Sequence, residues 1–147
     1  MEIITPHRIK SREVLITDLE RVKNDSIGMA ELCNKPIGRK SGGLAIAHCQ
    51  ITDNDPLRFF VTKNCDIYVN PKIVKSFGKK TRRLEGCLSF ASLRDITVNR
   101  FDQIEASCFD KDLNFVGTFS LVGTLARVFQ HEIDHFNGIN IYGIKLL

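Results

Sequence analysis

The sequence predicts an α+β fold, mainly antiparallel β-sheets packed around a central helix, and three observations carry that reading. The middle of the chain holds short runs rich in β-branched and aromatic residues, separated by turn residues, as strands with tight connections do. Residues 121–136 instead recur with helical period. At about 100° per residue, Val122, Leu125, Ala126, Phe129, Ile133 and Phe136 fall in one sector, with Thr124, Val128, His131 and His135 roughly opposite. A helix of this kind is buried on two sides, and a strand-rich body followed by one buried helix defines the class. The third observation is size. With 147 residues, 43% of them hydrophobic, the chain fills one ordinary core, so residues 1–147 are expected to form a single domain.

Taken in order, residues 18–32 read as a helix, with Leu19, Val22, Ile27 and Met29 on imperfect helical spacing. Residues 35–42 are rich in charge and in helix breakers and read as a loop, leading into a small, apolar segment at 43–51. Asp53-Asn54-Asp55-Pro56 is a turn. Residues 57–62 and 66–70 then read as strands, with Asn70-Pro71 closing the second. The basic run at 78–83 reads as a solvated loop. Residues 96–98, 103–109 and 113–119 read as strands, the last two joined as a hairpin through Asp110-Lys111-Asp112. Ser120 is a plausible N-cap for the helix that follows, and Asn137-Gly138 its stop.

A formal charge of +4 with a pI near 8.9 and no long basic tract gives no argument for nucleic acid. No run approaches the ~18 apolar residues of a spanning helix, and Met1-Glu2-Ile3-Ile4-Thr5 lacks the layout of a signal peptide. A soluble, cytoplasmic chain without a membrane partner is expected. The five cysteines, Cys33, Cys49, Cys65, Cys87 and Cys108, are odd in number and contain no CxxC pair, which argues against a disulfide framework.

The chemistry sits in Gln130-His131-Glu132-Ile133-Asp134-His135. Two imidazoles four residues apart project from one face of a helix and can close on a single metal ion, which makes the central helix a metal-binding one. A catalytic site of this type needs a third protein ligand. The twelve residues after His135 contain no His, Asp or Glu, so that ligand must lie upstream. The best candidate is Cys87 in Glu85-Gly86-Cys87-Leu88-Ser89, preceded by glycine and bracketed by polar residues as a presented thiolate would be.

With these motifs in hand, the chain resembles the peptide deformylases. Residues 85–89 and 130–135 match the family's second and third signature motifs, and residues 43–50 resemble the first, Gly-x-Gly-hydrophobic-Ala-Ala-x-Gln. Gly43, Ile46, Ala47 and Gln50 are kept there, while Ala45 replaces the second glycine and His48 the second alanine. The resemblance runs from 43 to 138 and includes Val69-Asn70-Pro71, Gly123, Arg127 and Gln130. The chain stops at Leu147, where typical bacterial members continue into a C-terminal helix, so it resembles the short form found in some virus-encoded members.

The resemblance implies a site and an activity. Cys87, His131 and His135 would hold the ion, and Glu132 would take a proton from water and pass it to the leaving amine. The side-chain amide of Gln50 and the N–H of Leu88 would stabilise the oxyanion. Gly43, Ala45, Ile46, Gly86 and Phe129 would lie on the substrate side. Glu85 and Arg94 match positions with supporting roles, and Asp134 is expected to pair with Arg100. The implied reaction removes formate from N-formylmethionyl nascent peptides, by a monomer in transient contact with the ribosome, in the cytoplasm of the host if virus-encoded. Fe²⁺ is the implied ion, and Zn²⁺, Ni²⁺ and Co²⁺ also suit the donor set. A zinc endopeptidase of the His-Glu-x-x-His class would need a downstream His or Glu that is missing here. An inactive, deformylase-like binding module would have little reason to keep Cys87, Gln50 and Glu132. His48 is expected to pack or to hydrogen-bond, because a fourth nitrogen on the ion would displace the attacking water.

Overall fold

The computed structural model describes residues 1–4 and 10–143. Five strands form one antiparallel sheet in sequence order: β1 (Ala45–Ala47), β2 (Phe59–Thr62), β3 (Ile67–Glu85), β4 (Ile96–Phe109) and β5 (Phe115–Val122). Among the described residues two α-helices accompany it, α1 (Leu19–Cys33) and α2 (Gly123–Phe136). The architecture is the α+β arrangement expected, and among the described residues no helix is long and apolar enough to cross a membrane. Thr5 and the chain end at Leu147 lie outside the described residues.

The sheet's first two strands are buried on both faces, which explains why Phe59-Phe60-Val61 is apolar without alternation. Ile46, Phe59 and Val61 pack with Val22 and Met29 of α1, whereas Ala45, Ala47 and Phe60 pack with Ala126, Phe129 and Phe136 of α2. Phe129 is the centre of the second cluster, with its ring edge-on to Phe60 at 5.0 Å and to Tyr68 at 4.8 Å.

Several expected boundaries moved, each for a local reason. The basic run at 78–83 is strand rather than loop: Lys80, Arg82 and Arg83 of β3 pair with Phe101, Asn99 and Val98 of β4. The ladder satisfies their backbone while the charged ends stay in water, and Gly78 marks a register shift between Phe77 and Lys80, a bulge rather than a break. Residues 96–98 and 103–109 likewise belong to the single strand β4, whose interior Arg100 is buried because carboxylates pair with it. Ser120 does not cap α2. It lies in β5 opposite Glu105, and the helix begins at Gly123, whose φ of +66° lets the strand turn straight into the helix where a β-carbon would be strained.

Two polar anchors stand out in the core. Asn70-Pro71 is a bulge within β3 rather than its end. Asn70 holds φ at +46°, and its side chain accepts from the N–H of Val14 at 2.8 Å and donates to the carbonyl of Val14 at 3.1 Å. His48 opens a short 3₁₀ turn, His48–Gln50, so His48 and Gln50 do not share one face of a strand. Its Nδ1 accepts from the N–H of Leu57 at 2.9 Å, which leaves the proton on Nε2 to donate to Asp25 at 3.0 Å, and its ring stacks on Phe59 at 4.7 Å. Packing and hydrogen bonding are the roles expected of it.

Asn70→Ala removes two buried hydrogen bonds and puts alanine in a left-handed conformation, and it should lower unfolding free energy by about 2–4 kcal/mol in a urea titration. Burial holds the His48 imidazole down to about 4 against the opposing pull of Asp25. The folded chain thus prefers the neutral ring, and stability should be full above the unfolded value near 6.5 and be lost as pH falls from there through about 4. Urea midpoints measured across that range should show this limb in the wild type and not in His48→Ala, which keeps its metal but is less stable at neutral pH.

Candidate metal centre

His131 and His135 lie one turn apart on α2, with their Nε2 atoms 3.1 Å apart. Cys87 arrives from the end of β3 through Gly86, and its Sγ stands 3.4 Å from Nε2 of His135. Cys87, His131 and His135 each bring a ligand atom within 4.8 Å of the others. A tetrahedral ion with bonds of ~2.05 Å to nitrogen and ~2.3 Å to sulfur separates nitrogens by ~3.3 Å and nitrogen from sulfur by ~3.6 Å. The two measured edges, 3.1 and 3.4 Å, fit such an ion.

The helix can present these imidazoles only if its rotation about its own axis is set. Gln130 sets it by clamping Phe101 of β4, accepting from its N–H at 3.0 Å and donating to its carbonyl at 2.7 Å. Arg127 adds donors to the carbonyls of Val98 at 2.7 Å and Thr81 at 3.1 Å. One helical step on, Glu85 accepts from Nε of Arg100 at 2.5 Å through one oxygen and from Nδ1 of His131 at 3.2 Å through the other. Arg100 also donates to Asp134 at 2.9 Å, the expected pair. A carboxylate on Nδ1 fixes the tautomer and aims Nε2 at the ion position. The helical clamp by Arg127 and Gln130 went unread in the sequence, although both are polar residues beside the apolar sector of a helix buried on two sides.

Electrostatics favour a cation at this point. His135 is held well below the ordinary histidine range by burial and then by the charge of His131. Burial works the same way on His131 but is outweighed by Cys87 and Glu85, which push it up to about 10. The pair therefore accommodates one positive charge, and a divalent ion held by Cys87, His131 and His135 would take the place of that proton. Burial raises Glu132 to about 7. Its Oε2 is buried with no hydrogen-bond partner among the described residues, a polar atom whose hydrogen-bonding capacity is unspent.

The other expected residues divide into two groups. Gly43, Ala45, Gln50, Gly86, Cys87, Leu88, His131 and Glu132 all line one cavity of about 560 Å³. Gly43 has to be bare there, since a β-carbon would come within 2.6 Å of Leu88 Cδ1. Ile46 and Phe129 do not line the cavity. Both are fully buried, Ile46 because it alternates with Ala45 onto the α1 side of the sheet and Phe129 because it fills the core beneath α2. Leu44 and Val128 supply apolar lining instead.

A family model for polypeptide deformylase matches residues 7–143. The chain belongs to that family. It is 33% identical to the peptide deformylase of Brucella suis over 105 residues, which make up 66% of this chain but 58% of that relative's length. Among solved structures it superposes on the peptide deformylase of Thermotoga maritima with a TM-score of 0.79 at 27% identity, covering 96% of this chain and 94% of that one. The deformylase of the Vibrio parahaemolyticus bacteriophage VP16T, solved in complex with actinonin, gives a TM-score of 0.80 at 26% identity, covering 96% of this chain and 100% of that one.

Cys87→Ala should lose its stoichiometric divalent ion when metal is counted after anaerobic purification. Glu85→Gln should keep the ion but hold it about 10–100-fold more weakly. Tight metal in the alanine variant would remove Cys87 from the ligand set.

Proposed function

We propose that this deformylase-family chain hydrolyses the N-formyl group of N-formylmethionyl nascent peptides, releasing formate, with one divalent ion on Cys87, His131 and His135. The observation that carries the reading is the unpartnered oxygen of Glu132, buried beside three donors spaced for one ion. When bound, the ion makes a water molecule acidic enough to lose its proton near neutral pH and polarises the carbonyl it faces. Glu132, pushed up to about 7 by burial, is poised to take that proton and deliver it to the departing amine.

Gln50 is oriented for a donor's role. Its Oε1 accepts from the N–H of Ala47 at 2.8 Å, which turns the NH₂ group towards Ser89 Oγ at 3.0 Å and Cys87 Sγ at 3.7 Å. Leu88 is the first residue of a 3₁₀ turn, Leu88–Phe90, where a backbone N–H has no acceptor within the turn. We assign these two donors, the Gln50 amide beside Cys87 and the N–H of the residue that follows it, to the oxyanion of a tetrahedral adduct.

The substrate's backbone has a docking edge. β1 is the terminal strand of the sheet, and Lys63 donates to the carbonyl of Leu44 at 3.0 Å. Ladder alternation then points the N–H and C=O of Ala45 away from β2, towards the cavity. A peptide added to that edge is gripped through its main chain, so side chains beyond methionine are free to vary. Fe²⁺ is the ion we favour, because a thiolate with two imidazoles suits it and the family resemblance points to it. We read the chain as one catalytic domain, acting as a monomer in the cytoplasm with transient contact to the ribosome, where formylmethionyl chains emerge.

Glu132→Ala should keep its metal and fold while losing formate release from formyl-Met-Ala-Ser by ~10²-fold or more. Near-full turnover in that variant, with metal bound, would sink the assignment.

A further inference from the structure

The cavity that contains the metal centre is lined at its outer part by charge that nothing in the proposed chemistry uses. Three acidic residues line it, and all are engaged: Glu85 by Arg100 and His131, Asp95 by Lys40, and Glu132 at the donors themselves. Two cations remain. Lys63 is exposed and makes no ion pair among the described residues. Arg83 lines the same cavity, is 55% exposed and approaches Asp102 through Nε at 3.5 Å, and Asp102 is already shared with Arg127 and Thr81. Arg83 thus lines the cavity with most of its side chain exposed. The neighbouring loop adds Lys35 and Arg39 and no acidic residue.

Their placement relative to the docking edge gives this charge a use. A peptide whose formyl group lies beside Gln50 and Leu88 runs antiparallel to β1, past Ala45 towards Leu44. Lys63 is the ladder partner of Leu44, one strand spacing of ~4.8 Å from that edge. The residues after methionine therefore pass Lys63, in a cavity that Arg83 also lines.

We propose that the cavity selects formylmethionyl peptides carrying a carboxylate side chain within the first three residues after methionine, held by Lys63 and Arg83. The proposal rests on the deformylase reading above and names the substrate class within it. The two cations are partly solvated, so each contact adds modestly. The selectivity expected is about three- to tenfold in kcat/KM, expressed in KM. Between 50 mM and 500 mM salt it should shrink, since the charges are open to screening.

The test uses the metal-loaded full chain and a parent peptide, formyl-Met-Ala-Ser-Ala, with Asp or Asn placed in turn at the second, third and fourth positions. The wild type should prefer Asp to Asn at one or more of these positions. In the Lys63→Met, Arg83→Met double variant the ratio should fall to near one, and in Lys63→Glu a peptide with Lys at the same position should overtake the Asp peptide. That reversal is an outcome a misfolded variant cannot mimic. Equal rates for Asp and Asn at all three positions, or a preference that survives the double variant, would overturn the proposal while turnover of the parent peptide left the deformylase reading standing. No turnover of any peptide by metal-loaded wild type would instead bring down that reading, and this proposal with it.

Discussion

The carboxylate of Glu85 is shared between Arg100 and His131, and the site depends on that division. One oxygen ties the end of β3 to β4, and the other fixes the tautomer of a ligand on α2. Glu85 also stands two residues before Cys87, so the bond that orients one donor positions the backbone that delivers another. A half-buried carboxylate such as this one is tolerable because both oxygens are engaged with charged or polar partners. Burial works to raise Glu85, yet it is held below the usual carboxylate range because His131 and Arg100 outweigh that effect. It remains the anion the arrangement requires.

The contrast with Glu132 shows how the same side chain serves two ends. Both are glutamates close to the donors, but Glu132 meets no cation by hydrogen bond and burial lifts it to about 7. In the proposed mechanism one is a fixed charge and the other a proton carrier, and the difference comes from their surroundings. The histidines divide in the same way. His131 and His135 meet beside Cys87, while His48 is locked neutral between Leu57 and Asp25, with no role at the ion.

The sheet supports this by being thickest where the chemistry is. Its β1–β2 end lies between α1 and α2 and is buried on both faces, which gives Gln50 and the Ala45 edge a rigid base. Farther across, β3 and β4 form a long ribbon on which the basic side chains of β3 remain solvated, and one of them, Arg83, reaches the cavity. Core and charge are thus separated along one strand, with Glu85 where β3 ends.

Local chemistry alone determined the two helices to within a few residues, the hairpin at 110–112, and the helical pair His131 and His135 with Glu132 between them. Each rests on spacing along the chain, which an amino-acid string records directly. Cys87 as a candidate partner was legible too, because it follows a glycine and is bracketed by polar residues, although the structure buries it as it buries Cys33, Cys49 and Cys108. What only the tertiary structure decided concerns contacts across long separations. A basic run looks solvated whether it is loop or strand, and pairing with β4 made it strand. An apolar residue near a motif looks like a pocket wall until alternation turns Ile46 to one core and packing draws Phe129 into the other. The clamp of Gln130 on Phe101 and the division of Glu85 between Arg100 and His131 join residues 15–46 positions apart, where geometry in space, not order in sequence, sets which charge meets which.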